Sequence, residues 1–273
     1  MIRERGDEFK ELSLERCARA CGVQRSSLYR RGLPDKDVAL VRKIRKLHER
    51  FPCYGYRRVA AELGLSPKLV RGVMKRNELY ARRRRSKHHA KPAAEVPPNA
   101  NLLPYLHVAG PGRVFAADVT FIRLLGGCFC YVASVLDVFT RQIVGWAISS
   151  RNDTLLTKDA LTALLISRSL KPCWVHHSDR GSNYTADAFQ ELVASCNGLL
   201  SYSDKGSPTQ NAYIESFFKT FKLEEAGYEP YSNIQEAKLC VDIYLHIYNQ
   251  ERLHSSLGYK SPDQFYREAV SVS

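Results

Sequence analysis

The chain has 273 residues, 44% of them hydrophobic, and 41 Lys and Arg against 28 Asp and Glu give a net charge of +13. That balance specifies a folded protein with one sizeable core and a small extra domain, and excludes a disordered chain. No stretch approaches membrane-spanning length and the opening MIRERGDEFKELS has no apolar segment, so the expectation is a cytoplasmic protein with no membrane partner. The charge is lopsided: residues 1–100 hold 26 Lys and Arg against 11 Asp and Glu, residues 101–273 hold 15 against 17. A basic first third points to a polyanion, and nucleic acid is the reading favoured over a well-solvated helical surface. The eight cysteines, at 17, 21, 53, 128, 130, 173, 196 and 240, fall mostly in apolar stretches without CxxC spacing and read as reduced core thiols, which argues against zinc.

In chain order, residues 1–34 contain LERCARACGVQRSSLYRR, where Ala18 and Gly22 stand four apart among Leu14, Cys17, Val23 and Leu28. This is helix-turn-helix spacing, although a plain helical hairpin fits the same pattern. Its second helix would present Gln24, Arg25, Ser26 and Arg30 to DNA. Residues 35–80 form a second such unit. An amphipathic helix over Asp35–Phe51 sets Val38, Val41, Ile44 and Leu47 on one face. RRVAAELGLSPKLVRGVMKRNELY then repeats the grammar, with Ala60 and Gly64 four apart and Ser66-Pro67 opening a helix that displays Lys68, Arg71, Lys75 and Arg76. Residues 81–110 read as a basic linker containing Arg82, Arg83, Arg84 and Arg85. Such a segment can track phosphates or enter a minor groove, and a bare spacer accounts for it too.

The remainder reads as α/β. Strands near Phe115–Leu124, Cys128–Leu136 and Arg141–Ile148, the first turn marked by Gly126-Gly127, predict an antiparallel meander. A helix over Leu155–Ser169, a strand over Cys173–His177, a helix over Ala186–Cys196, a short strand over Leu199–Ser203, a helix over Thr209–Gly227 and another over Ile234–Tyr248 follow. Residues 111–230 form one domain on this reading, and 231–273 a C-terminal helix and tail.

Three carboxylates fall at telling places: Asp118 in the apolar strand VFAADVTFI, Asp179 at the end of the strand in VHHSDRGSNYT, and Glu215 in the helix of SPTQNAYIESFFKTFK, with 35 residues between the last two. An unpaired charge in an apolar strand is costly unless a cation meets it. Two strand-borne aspartates and a helix-borne glutamate can converge on a pair of divalent ions, which position a nucleophile and stabilise a leaving oxygen at phosphorus. All-oxygen ligands suit Mg2+, with Mn2+ able to substitute. Each acid also has a bland role open to it, as a buried polar group, a turn residue or an exposed helix charge. Asp137 in LDVFTR reads as a structural cap. Alternation sends His176 and His177 to opposite faces, which removes them as ligands. Asn211, Lys219 and Lys222 recur at helical spacing and are expected near the face of Glu215, where Glu215–Lys219 is also an ordinary i,i+4 pair. Asp204 to Pro208 has loop composition and would let a site open for its substrate.

ADVTFI, SVLDVFTRQIVGW, HSDRGSNYT, the 35-residue spacing, NAYIESFFKTFK and YNQERLHSSLGYKSP together resemble, in order over roughly residues 113–265, the DDE catalytic core of insertion-sequence transposases and retroviral integrases. The second-reading-frame product of bacterial insertion sequences is the nearest pattern. The resemblance implies a ribonuclease-H-like integrase core with a mixed sheet behind an all-α helix-turn-helix region. It also implies catalysis and metal binding by Asp118, Asp179 and Glu215, with Asp118 and Asp179 sharing one ion and Asp118 and Glu215 the other. Lys219 and Lys222 would grip the transferred DNA end, while Arg252 and His254 fall in a C-terminal block where DNA contact and tail packing both remain open. The implied activity is metal-dependent cleavage and strand transfer at terminal inverted repeats, by a nucleoid-associated prokaryotic protein that forms a homo-oligomer on double-stranded DNA, in some cases with an upstream reading-frame product. The chain departs from retroviral integrases in lacking their N-terminal HHCC zinc pattern: His88 and His89 are adjacent and no CxxC follows. A non-catalytic DNA-binding regulator and a nuclease without strand transfer are the alternatives.

Overall fold

The computed structural model describes residues 35–82, 101–204 and 208–271. The first helix-turn-helix expectation, with Gln24, Arg25, Ser26 and Arg30, lies outside them, as do Arg83, Arg84 and Arg85.

Three helices open the described chain: α1 (Asp35–Arg50), α2 (Tyr56–Leu63) and α3 (Pro67–Arg76). Gly64 ends α2 in the left-handed region at φ 62°, its N–H reaching back to carbonyls of the last turn. Ser66 then holds extended backbone ahead of Pro67, as the Ser-Pro pair predicts. Ile44, Tyr54, Val59, Val70 and Val73 are fully buried between the helices. Val38 departs from the expected apolar face: it is 57% exposed, because α1 turns its buried stripe toward Leu40, Val41, Ile44 and Leu47.

The second body is a five-stranded sheet in the order β3-β2-β1-β4-β5, built from β1 (Val114–Arg123), β2 (Phe129–Asp137), β3 (Ile143–Ser149), β4 (Trp174–Ser178) and β5 (Gly198–Tyr202). The first three strands form the expected antiparallel meander, while β4 and β5 pair parallel outward from β1. Gly126 and Gly127 turn between β1 and β2 with φ of 78° and 80°. α4 (Thr154–Ser167), capped by Asp153 accepting from the Leu156 N–H at 3.2 Å, and α6 (Asp187–Ser195) cover one face. α7 (Ala212–Glu224) and α8 (Ile234–Gln250) cover the other. Between β4 and α6 lies the short α5 (Ser182–Thr185). Gly145 allows α4 to lie flush on β3, since a Cβ there would stand 2.4 Å from the Ala160 carbonyl oxygen. A meander extended by two parallel strands, with helices on both faces, is the ribonuclease-H-like integrase-core arrangement that the resemblance implies.

α9 (Pro262–Ser271) was not expected. Leu102, Leu103 and Val108, from the stretch read as linker, pack on the sheet core. Of the described cysteines Cys130 is buried, Cys196 and Cys240 pack half-buried against the two cores, and Cys128 and Cys173 are exposed, so the core-thiol reading fails for the last two. Both exposed residues sit where strands begin, beside Gly127 and ahead of Trp174, and the apolar runs around them belong to the strands proper. Among the described residues no helix is long and apolar enough to cross a membrane.

Candidate active site

The central strand β1 carries Asp118 opposite Ser134 of β2. Ala116 and Ala117, both buried, are followed at Asp118 by a side chain that is only half-buried, so the carboxylate opens from the core toward the surface. Its Oδ1 accepts the Val119 N–H at 2.7 Å. Asp179 follows β4 directly, and its Oδ1 accepts the Gly181 N–H at 3.0 Å. Glu215 lies in the first turn of α7 and meets Lys219 at 3.2 Å. Because β4 runs parallel beside β1 in a register that reaches Ala116 and His177, Asp179 falls just past the end of β4 level with Asp118, and α7 packs on β1 and β2.

Electrostatics ties the three together. Burial pushes the Asp118 carboxyl up to about 7; the Val119 N–H opposes this, the charges of Asp179 and Glu215 add to it, and Lys222 pulls it back. Tyr184, buried beneath, is held well above the usual phenol range by burial and then by the charges of Asp118 and Asp179. Among the described residues no three metal-binding side chains cluster tightly enough to enclose one cation. Asp118 can instead belong to two pairs, with Asp179 and with Glu215. Magnesium sites take one or two carboxylates per ion, retain waters and draw remaining ligands from phosphate, so this donor set fits a divalent cation.

Lys222 stands 4.5 Å from the centre of the Phe121 ring and acts electrostatically on Asp118; Lys219 pairs with Glu215. Asn211 departs from the expected face. The chain over 208–211 is a 3-10 turn rather than the start of α7, and the Asn211 side chain is buried, its Nδ2 donating to the Ala117 carbonyl at 3.0 Å. It ties the start of the Glu215 helix to the residue beside Asp118, a role no spacing rule announces.

Asp137 accepts N–H groups of Gly112, Phe139 and Thr140 at 2.7 to 3.1 Å, as a structural residue should. His176 packs on Tyr184 and Phe189, while His177 Nδ1 lies 2.8 Å from Ser201 Oγ, on opposite faces as alternation predicts. Arg252 is buried and bidentate to Glu224 at 2.8 Å, which places it in packing. His254, pressed on Tyr248, is half-buried. Lys68, Arg71 and Lys75 are exposed on α3, and Arg82 is exposed beyond it. Asp204 is tied to Gln210, whose Nε2 donates to its carboxylate at 2.8 Å.

Two families described as Integrase core domain match residues 108–208 and 199–262. A transposase for insertion sequence element IS904 of Lactococcus lactis is 35% identical over 191 residues, covering 68% of this chain and 75% of the relative. A probable transposase for insertion sequence element IS1353 of Shigella flexneri is 33% identical over 273 residues, covering 92% of this chain, which spans about half, 52%, of that longer protein. Among solved structures, the HTLV-2 integrase catalytic core domain in complex with magnesium is a distant likeness, 17% identical with a TM-score of 0.42 over 58% of this chain and 98% of that one. On the two integrase-core matches and the Lactococcus relative, this chain belongs to the insertion-sequence transposases of the integrase superfamily.

Proposed function

We propose that this chain is a DNA transposase that cleaves the terminal inverted repeats of its element and joins the freed ends to new DNA. The observation that carries the reading is that Asp118 lies within electrostatic reach of both Asp179 and Glu215: burial first, and then those two charges, raise its carboxyl to about 7. Asp118, Asp179 and Glu215 are the catalytic and metal-holding residues on this reading. Two divalent ions, magnesium with manganese as substitute, would supply charge for an attacking and a leaving oxygen at phosphorus.

The chain's own part is placement. Asn211 registers the Glu215 helix against β1, Lys219 and Lys222 offer positive charge to the DNA end, and Asp118 is the acid common to both metal pairs. A water oxygen bonds to phosphorus as the 3′ oxygen leaves with a proton, and that 3′ hydroxyl then attacks a second phosphodiester. Each joining step exchanges one phosphodiester for another and needs no nucleotide cofactor. Exposed Lys68, Arg71, Lys75 and Arg82, with Gln24, Arg25, Ser26, Arg30, Arg83, Arg84 and Arg85, would hold double-stranded DNA. Two ends handled together require a homo-oligomer on DNA, with an upstream reading-frame product as a further partner, in a prokaryotic cytoplasm at the nucleoid. Domains on this reading are 1–34, 35–80, 81–110, 111–230 and 231–273.

The test is incubation of the full chain with labelled DNA from both flanks of its gene, with magnesium or EDTA. Magnesium-dependent 3′ nicking and joined products are expected. Asp118→Asn, Asp179→Asn and Glu215→Gln should each abolish both while leaving DNA affinity within about twofold. Turnover retained by any of the three variants sinks the site assignment. Binding without cleavage, also after the upstream product is added, leaves the regulator.

A further inference from the structure

A groove of about 840 Å³ runs beside the carboxylate site between the far end of β1 and the end of α7. Arg82, Arg123 and Lys222 line it together with Phe121 and Tyr228, and no acidic side chain does. The two rings are half exposed, Phe121 at 52% and edge-on to Phe129, and Tyr228 at 42%. Each ring carries a cation. Lys222 Nζ sits 4.5 Å from the Phe121 centroid, and the Arg82 guanidinium 4.8 Å from that of Tyr228. Arg123 donates to the Tyr228 carbonyl at 3.4 Å, which fixes the third cation on the same wall.

The groove is continuous with the chemistry. The link is Lys222, which lines the groove, lies over the Phe121 ring and lowers the Asp118 carboxyl; Phe121 itself stands three residues along β1 from Asp118, ~10 Å at strand rise, and alternates to the other side of the strand. On its other side a cavity of about 750 Å³ shares Arg82 and Tyr228 and reaches Arg45 and Arg50 of α1. That second cavity also contains Glu49, Glu224 and Glu225, so of these two adjoining spaces the first combines cations and rings without an acid.

Cations combined with exposed aromatic rings in one groove are the chemistry of single-strand binding, in which phosphates meet charge and bases stack without regard to sequence. A duplex hides its base faces and has no use for the rings. Cations already held over rings lose little freedom when a phosphate arrives. We propose that this groove seats a single DNA strand adjoining the carboxylate site, its phosphates on Arg82, Arg123 and Lys222 and its bases against Phe121 and Tyr228. The inference rests on the transposase reading and adds to it a path for an unpaired strand beside the scissile phosphate.

The experiment is fluorescence anisotropy with the full chain in EDTA, so that no cleavage intervenes. The probes are a blunt duplex from a gene flank and the same duplex carrying a twelve-nucleotide thymidine extension. Wild type should bind the extended probe more tightly. Phe121→Ala with Tyr228→Ala should remove that advantage, a loss of about tenfold or more for two stacked bases, with blunt-duplex affinity unchanged. Arg123→Ala should lower the salt dependence of the extended probe by about 0.7, the single-strand value for one phosphate. Circular dichroism and melting temperature check that the variants fold; Phe121→Leu with Tyr228→Leu, which keeps apolar surface without a stacking face, should fail like the alanine pair. An equal loss on both probes, or retention of the extension advantage by both ring variants, overturns the groove while leaving the transposase reading intact. Failure of wild type to bind either probe overturns both.

Discussion

Asp118 and two histidines, the buried His176 and the half-buried His254, make opposite demands on pH. Burial, then His177, pushes His176 down to about 3, and burial with the charges of Arg252, Arg58 and Arg141 pushes His254 to about 3, from 6.5. As pH falls below 6.5 the unfolded chain takes up protons at these imidazoles that the native state refuses, so stability is present above 6.5 and lost on the way down toward 3. Asp118 runs the other way: with its native value about 7 against 3.8, the native state holds a proton that the unfolded chain has lost, and this contribution disappears as pH rises toward 7. Asp118→Asn should therefore stabilise the metal-free protein by about 1–2 kcal/mol at pH 8, allowing for its half-exposed position. It should change little at pH 4 and steepen the acid limb. His176→Phe should flatten that limb. Urea denaturation across pH 4–8 measures all of these, and an acid limb unaffected by His176→Phe refutes the account. The positions of the acids are legible in the sequence because a carboxylate in an apolar strand has few explanations. The value near 7 is not, since it depends first on burial by the folded core and then on neighbours 61 and 97 residues away along the chain.

α7 is held at both ends. Asn211 bonds Ala117 at its start, and Glu224 in its last turn forms a fork with Arg252, both side chains 4% exposed, with the Tyr244 hydroxyl adding a third bond at 3.1 Å. Removing one member of a buried ion pair leaves the other charge stranded and costs about 3–5 kcal/mol, whereas replacing both with apolar groups is far milder. Arg252→Met should lower stability by that amount, and Arg252→Met with Glu224→Leu should recover much of it. Recovery absent from a denaturant titration argues against the pair as the source. Asn211→Ala should cost about 1–2 kcal/mol for the missing bond. On the transposase reading it also lowers kcat for cleavage while KM for DNA stays within about twofold, as a positioning residue requires. Helical periodicity reveals α7 and α8 nearly in full, yet it runs α7 through Thr209 and Gly227 because nothing in PTQNAYIES marks where a 3-10 turn yields to an α-helix. α9 carries the same Ser-Pro signal as α3, with Ser261 Oγ accepting from the Gln264 N–H at 3.2 Å, so its start is written in the chain even though the tail around it shows little apolar periodicity. Arg252 stays open between DNA contact and packing at the level of sequence because its partner Glu224 sits on another element.

At the scale of the molecule, charge is readable and docking is not. The basic first third is plain from composition, while the seating of α1–α3 on the far end of α8 is not. Tyr54 Oη accepts the Leu253 N–H at 2.6 Å, Arg50 pairs with Glu251, and Ile247 and Leu253 pack into the three-helix core. Deleting residues 1–80 would strip cover from both apolar side chains, so a surface substitution is the cleaner probe of DNA binding. Lys68→Ala, Arg71→Ala and Lys75→Ala together should weaken duplex binding and reduce its salt slope by about 2.7, at about 0.9 for each phosphate no longer neutralised, with an unchanged melting temperature. An unaltered slope in anisotropy titrations at several salt concentrations removes this face from the interface.

The Glu224–Arg252 fork also gives synthesis on the ribosome a definite order. β1 pairs with β4 between residues 61 apart in the chain, and pairing of that range is slow to close. Even with the sheet complete, Glu224 has no counterion until residue 252 has left the exit tunnel, and a bare carboxylate beneath Tyr244 opposes seating of α7. Glu215 rides on that helix. The third acid is thus anchored only after both aspartates and residue 252 have been made.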